Sequence, residues 1–229
     1  MIPVTVLVVA KAPVPGLAKT RLAATLGEVA AADIAAAALL DTLDAVAATP
    51  VAARVVALTG DLDLARDGDE IRSRLREFVL IGQRGDGFAA RLANAHADAA
   101  AATGGLPVLQ IGMDTPQVTA ELLGSSARAL IGLSAGALLG CGAVLGMACD
   151  GGWWVLGVTA AATAECLREV PMSTPDTGSE TLSALRRHGI DVELLPELAD
   201  VDTVADIPDV RTACPPGSRF RRATAQVHA

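Results

Sequence analysis

VTVLVVAKAPVPGLAKTRL, residues 4–22, is the stretch from which the fold is read. Its first part, 4–10, is a short apolar run rich in β-branched side chains. It is too short for an independent helix and is bounded by a Pro/Gly loop, which predicts a fully buried strand. The loop that follows carries Lys11, Lys19 and Arg21, with Pro13, Pro15 and Gly16 stiffening the turn between them. Cations between a buried strand and a helix start form an anion site: Lys gives a point charge, Arg a planar fork, and the helix its free N–H groups. A nucleotide phosphate tail is the anion expected there.

The rest of the composition narrows the class. A chain of 229 residues is long enough for one α/β core, expected over 1–214, and short for two. Hydrophobic residues make up 52% and aromatics only 2%, so the core must be built from Ala, Val and Leu, with helices plentiful. A net charge of −8 argues against a nucleic-acid partner, which needs a basic face rather than one basic loop. The partners expected are small molecules. Cys141, Cys149, Cys166 and Cys214 show neither CxxC spacing nor a paired His, so buried free thiols are expected rather than zinc or redox chemistry. The opening apolar run has no basic segment before it and meets Lys11 too early for a secretory signal. The uncharged stretch 129–149, with Gly132, Gly136 and Gly140 at small-xxx-small spacing, divides into a helix end, a Gly-rich turn and a strand at 143–147 rather than a membrane span. A cytoplasmic protein is the expectation.

In chain order, helices are predicted at 19–26 and 28–47, strands at 54–59 and 78–82, and a Gly-containing loop leading into a helix after Gln83 and Gly87. A strand at 107–112 ends at Met113-Asp114-Thr115-Pro116, Thr119 caps a helix to about 130, and strands at 143–147 and 153–158 flank Asp150-Gly151-Gly152. Helices at 161–170 and 180–187, a strand at 192–195 and a short acidic turn into a last helix complete the pattern. Past Pro215 the Arg-containing tail lacks apolar periodicity, and 215–229 is expected to be disordered. Alternating strands and helices imply a three-layer α/β/α fold on a mostly parallel sheet, with the strand pair around Asp150 running against the rest.

Several residues then carry chemistry. Residues 13–20 approach a P-loop but fail at the glycines, since Pro13 and Ala18 stand in their place and Pro15 removes a further N–H; GxGxxG is also missing. What remains is a clamp of side chains, Lys11, Lys19 and Arg21. Asp114 is delivered to the carboxyl end of a strand, the edge where open α/β sheets place ligands, and is the candidate metal ligand. Its other reading is a turn or helix cap before Thr-Pro. Asp200 and Asp202 also follow a strand and would add hard oxygen ligands suited to Mg²⁺ or Mn²⁺. Asp150 with Gly151 and Gly152 reads equally as a tight turn or as a carboxylate beside a ligand that approaches the backbone. Trp153 and Trp154 could face a sugar, while at least one of the pair is expected to pack inward because strand neighbours point to opposite faces. Ser173, Thr174, Thr177 and Thr181 read as caps and turn formers, or as a hydroxyl-rich loop for a sugar or phosphate. His96 and His188 sit within and at the end of helices, and no Ser or Cys stands in a nucleophile elbow.

KAPVPGLAKTRL, GMDTP, LGMACDGGWWVLG, PMSTPDTGSETL and ADVDTVADI, in this order across most of 4–207, resemble the bacterial glycosyltransferase-A-type proteins related to 2-phospholactate guanylyltransferases. The resemblance implies the nucleotide-diphosphosugar transferase fold, with nucleotide bound over the first loop. Ala10, Lys11, Ala12, Pro13, Gly16, Gln83, Gly87, Gly112 and Met113 would line the nucleotide. Lys19 and Arg21 would hold its phosphates, Asp114 would bind the metal, and Asp200 or Asp202 would supply a second ligand. Asp150, Gly151, Gly152, Trp153, Ser173, Thr174 and Thr177 would face the acceptor. Where relatives usually carry Gly-Pro, this chain has Gly146-Met147. The activity expected is a Mg²⁺-dependent nucleotidyltransferase that moves a nucleoside monophosphate from the triphosphate to a small phosphate or hydroxyl acceptor. The alternatives are a glycosyltransferase with Asp150 as base, and a nucleotide-binding regulator without catalysis.

Overall fold

The computed structural model describes residues 1–136 and 142–227. Seven strands form one sheet in the order β3-β2-β1-β4-β6-β5-β7. They are β1 (Ile2–Lys11), β2 (Val51–Thr59), β3 (Val79–Gly82), β4 (Val108–Ile111), β5 (Gly142–Ala148), β6 (Trp153–Val158) and β7 (Asp191–Leu198). The helices are α1 (Thr20–Leu26), α2 (Glu28–Ala48), α3 (Gly68–Leu75), α4 (Phe88–Ala102), α5 (Ala120–Gly136), α6 (Thr177–Arg187), α7 (Ile207–Ala213) and α8 (Arg219–Ala223). The expected α/β sandwich on a mostly parallel mixed sheet is the observed one. Of the strand pair expected to run backward, only β6 does so, antiparallel to both β4 and β5; β5 pairs with β7 in parallel.

β1 shows why the opening run dictates the architecture. Val4, Val6, Val8 and Ala10 pack with α2 and α5 on one face, while Leu7 and Val9 pack with α4 on the other. A strand apolar from residue 4 to 10 but for Thr5, whose hydroxyl meets that of Thr103 at 2.7 Å, must be covered twice, and each Val or Leu so buried contributes about 1.5–3 kcal/mol. The alanine-rich helices do this covering: α2 buries Ala31, Ala32 and the run from Ala35 to Ala38 beside Leu39, Leu40 and Leu43. A third, smaller cluster joins Leu22, Ile34, Val201, Ile207, Val210 and Phe220.

That cluster corrects the expectation of a disordered tail at 215–229. Over the residues described there, α8 docks on α2: Phe220 is fully buried, Asp41 accepts the backbone N–H groups of Arg219 and Phe220, and Arg219 pairs with Asp41, Asp44 and Glu70. A single aromatic and a cap donated from another helix replace the apolar periodicity that a longer helix would show. The segment expected to be a helix at 161–170 is a 3₁₀ helix, Ala161–Glu169, with i→i+3 bonds such as Val170 N–H to Leu167 O at 3.0 Å. Thiol burial holds for Cys166 and Cys214, and burial pushes the Cys214 pKa up to about 12. Cys149 is instead exposed, and Cys141 lies outside the described residues, as does most of the Gly-rich turn after α5. Among the described residues no helix is long and apolar enough to cross a membrane.

Candidate active site

The parallel strands β1 and β4 are neighbours, yet the chain leaves β1 toward β2 and reaches β4 only after β3. Loops after such strands diverge and leave a crevice between them. Here the crevice is a cleft of about 560 Å³ along the carboxyl edge of the sheet. Its first wall is the loop after β1. Gly16 adopts φ +78° to turn that loop, and Lys19 adopts φ +49° as the N-cap of α1. A non-glycine residue in the left-handed region is strained and needs surrounding contacts to hold it. Those contacts are electrostatic: the Lys19 ammonium donates to Val201 O and lies 3.0 Å from Asp114 Oδ1. Lys11 Nζ donates to Leu17 O at 2.6 Å, and Arg21 pairs with Asp202.

The second wall comes from the loop after β4 and the segment after β7, which are tied together. Val201 N–H donates to Asp114 O at 3.0 Å, and Gln117 donates to Ala199 O. Asp200 is thereby held near Asp150 and Asp114, and its pKa is raised to about 6, first by burial and then by the Asp150 charge; Lys19 opposes the shift and Asp114 adds to it. The third wall is the turn from β5 to β6. Asp150 Oδ1 accepts the Gly152 N–H at 2.7 Å, and Gly178 N–H donates to Gly151 O at 2.8 Å. A Cβ on Gly151 would stand 1.9 Å from Pro175 O and one on Gly178 2.5 Å from Gly152 O, so these glycines make room for the 172–178 loop. Asp150 closes a tight turn and also lines the cleft. Ser173, at φ +61°, also lies on this wall.

Most predicted residues meet in this one cleft: Ala10, Lys11, Lys19, Arg21, Gln83, Gly112, Met113, Asp114, Asp150, Gly152, Trp153, Ser173, Thr174, Thr177, Asp200 and Asp202 all line it. Ala12, Pro13, Gly16, Gly87 and Gly151 do not. Ala12 is buried against Gly60, Pro13 O accepts from Arg66 N–H, and Gly16 faces Glu28. Gly87 caps α4, and Gly151 is covered by Pro175. Gln83 spans the strand ends, donating to Ala10 O at 2.8 Å and Ala57 O at 3.0 Å. Both tryptophans line the cleft: Trp154 is buried with its indole N–H on Pro196 O, and Trp153 is half-buried. Residues that the sequence reading passed over also line it, notably Phe88, Arg91, Gln110, Thr115 and Met172. The signal for Arg91 was available in its spacing from Phe88 at the start of α4; Gln110 was hidden as a polar residue inside an apolar strand.

Among the described residues no three His, Cys, Asp or Glu side chains form a metal-sized group. Asp202 is turned toward Arg21 rather than toward the other carboxylates. The donor set still fits a hard divalent cation. Mg²⁺ takes one or two carboxylates and completes its shell with water and phosphate oxygens, and Asp200 is crowded by Asp150 and Asp114, which a backbone hydrogen bond and Lys19 oppose.

Solved structures share this fold. A protein from Desulfovibrio desulfuricans G20 with the provisional name nucleotide-diphospho-sugar transferase superposes with a TM-score of 0.82 at 24% identity, over 99% of this chain and 97% of that one. A cytidylyltransferase from Leptospira borgpetersenii gives 0.55 at 14% identity, over 90% of this chain and 84% of that one. CMP:2-keto-3-deoxy-manno-octonic acid synthetase complexed with CTP gives 0.54 at 12% identity, over 91% and 97%. At these identities the likeness shows the nucleotide-diphosphosugar transferase fold. No protein of curated function matches the sequence. The model of the bacterial family described as "Uncharacterized protein conserved in bacteria (DUF2064)" matches residues 42–174, more than half of the chain, and the protein belongs to that family.

Proposed function

We propose that the protein is a Mg²⁺-dependent nucleotidyltransferase related to 2-phospholactate guanylyltransferases. The observation that carries this reading is the Lys19–Asp114 contact of 3.0 Å, which joins the cation clamp to the candidate metal ligand inside one cleft. The acceptor oxygen forms a bond to the α-phosphorus, the bond from that phosphorus to the bridging oxygen breaks, and pyrophosphate leaves with the electron pair. A hydroxyl acceptor gives its proton to Asp150, the exposed carboxylate on the cleft, and so to water. Asp114 and Asp200 would hold Mg²⁺, which supplies charge neutralisation between phosphates. Lys11, Lys19 and Arg21 stabilise charge on the departing pyrophosphate. No protein nucleophile is required.

A second reading, a glycosyltransferase with a nucleotide-sugar donor, is favoured by one feature: Trp153 borders the cleft beside Asp150. Pyrophosphate release from each nucleoside triphosphate, measured beside nucleotide-sugar consumption with and without Mg²⁺, separates the two. A nucleotide-induced thermal shift that ignores Mg²⁺ would instead mark a binding protein without catalysis.

A further inference from the structure

Val201 carries no charge, yet its backbone touches both members of the ion pair in the cleft. Its carbonyl oxygen accepts the Lys19 ammonium, and its N–H donates to Asp114 O at 3.0 Å. Lys19 Nζ lies 3.0 Å from Asp114 Oδ1, so the three residues form one closed set of contacts. β7 ends at Leu198, and the sheet ladder does not reach Val201. Its side chain is the anchor: Val201 is 1% exposed, packed in the small cluster with Leu22, Ile34, Ile207, Val210 and Phe220.

The other side of the pair rests on the same cluster. Leu22 follows Lys19 by one helical turn and is fully buried, so α1 carries Lys19 and Arg21 into the cleft while its own apolar face stays in that packing. Ile207 and Val210 come from α7 and Phe220 from α8. The Asp206 carboxylate closes the turn from Val201 into α7 by accepting the N–H groups of Asp202 at 3.0 Å and Thr203 at 2.6 Å. Asp41 of α2 clips the start of α8 in place. None of Leu22, Ile207, Val210 and Phe220 lines the cleft, so any influence they have on a ligand passes through Val201 and α1. Lys19 is sensitive to such support because it sits at φ +49°, a conformation that relaxes unless surrounding contacts hold it.

We infer that Val201 and Phe220 are positioning residues, and that α7 and α8 form a brace which sets Lys19 against Asp114 and so shapes the phosphate clamp. The effect on triphosphate affinity rests on the nucleotidyl-transfer reading; the brace itself does not. Removing either side chain lets the backbone at 200–202 and the start of α1 drift apart, and a displacement of about 1 Å at a charged contact can cost up to about a hundred-fold.

Hydrogen exchange of the whole chain reads the brace without nucleotide. Phe220→Ala and Val201→Ala speed exchange of the residue-201 amide, whose acceptor is Asp114 O, at least about ten-fold, while the amides of β1 and β4 stay protected. Calorimetric titration with Mg²⁺-bound ATP, GTP, CTP and UTP reads the consequence. For the triphosphate that binds the wild-type chain, both variants lose affinity about ten- to a hundred-fold at a temperature where they remain folded, and Phe220→Leu recovers most of it. Leu130→Ala empties an equally buried site in α5 that does not line the cleft, and it keeps wild-type affinity. Should Phe220→Ala fail to fold, Val201→Ala and Phe220→Leu carry the test. Wild-type exchange at residue 201 in the alanine variants overturns the inference, as does wild-type triphosphate affinity. An equal loss of affinity in Leu130→Ala also overturns it, by reducing the effect to general stability. Absence of binding by all four triphosphates in the wild-type chain, with exchange at residue 201 still answering to Phe220, sinks the transferase reading and leaves the brace standing.

Discussion

Lys19 Nζ lies 3.0 Å from Asp114 Oδ1, with the Lys19 side chain 10% exposed and that of Asp114 40% exposed. The pair joins the loop after β1 to the loop after β4, so the two halves of the proposed chemistry neutralise each other before any ligand arrives. A partly buried ion pair gains little net stability, because desolvation offsets most of the attraction. Exchanging it costs correspondingly little: a phosphate takes Lys19, a cation takes Asp114, and both ions keep a partner.

Lys19→Ala is expected to weaken Mg²⁺-triphosphate binding by the value of one charge-assisted contact, about 1.5–3 kcal/mol or roughly ten- to a hundred-fold. Thermal shift against nucleotide concentration measures it, and unchanged affinity would remove the clamp from the mechanism. Asp114→Asn should abolish metal-dependent turnover with the fold retained. Full activity in that variant contradicts its assignment as a ligand.

Gly151 at φ +90° presses on Pro175 O, where an added Cβ would stand 1.9 Å away. Gly151→Ala therefore combines left-handed strain with a backbone clash, for an expected loss of about 2–4 kcal/mol. Because the displaced partner is the loop bearing Ser173 and Thr174, the same variant should lose acceptor affinity before nucleotide affinity. Denaturant unfolding together with substrate titration checks both; wild-type stability would mean the loop yields freely.

The architecture was legible where one physical rule dominates. The side chains at 4–10, apolar but for Thr5, require a strand covered on both faces, and Val6 and Leu7 do point to opposite clusters. Asp114, Lys19 and Arg21, which meet in the cleft, were legible as candidates because each stands where a strand ends or a helix begins. Their pairing was not, since it depends on which strands are neighbours in the sheet. Arg91 and Gln110 escaped notice for a related reason: inside α4 and β4 they look like a surface cation and an exception to an apolar run, and only the fold brings both to one cleft. α8 was missed because its docking rests on Asp41, far away in sequence.

Phe220 is fully buried in a cluster with Leu22, Ile34 and Val210, and Arg219 is held by three carboxylates. Phe220→Ala is expected to cost about 3–5 kcal/mol, the usual range for an aromatic removed from a core. Chain shortening at 214 should cost at least as much, since it also uncovers α2. Chemical denaturation of the two variants gives the answer, and wild-type stability after truncation would show that α8 is dispensable.

Two titratable groups, the half-buried Asp200 and the buried His96, set opposite pH slopes. Asp200 has a pKa raised to about 6, so the folded state binds its proton more tightly than the unfolded chain, whose value is near 3.8. Its contribution is greatest at low pH and is lost as pH rises through that window. His96 is fully buried in α4 with neither ring nitrogen partnered, and burial lowers its pKa to about 3. Protonation then favours the unfolded chain, so stability present above the ordinary imidazole value of 6.5 is lost as pH falls toward 3. Asp200→Asn should therefore unfold with a steeper profile between about pH 4 and 6, since the His96 slope is no longer opposed, and the wild-type chain should regain the stability that Asp200 loses with rising pH when Mg²⁺ is added, because a cation holds the carboxylate charged. His96→Leu should leave stability near neutrality little changed and make the protein more resistant to acid. Thermal unfolding across pH for the two variants separates the terms, and a wild-type acid limb in His96→Leu would show that another group governs acid unfolding.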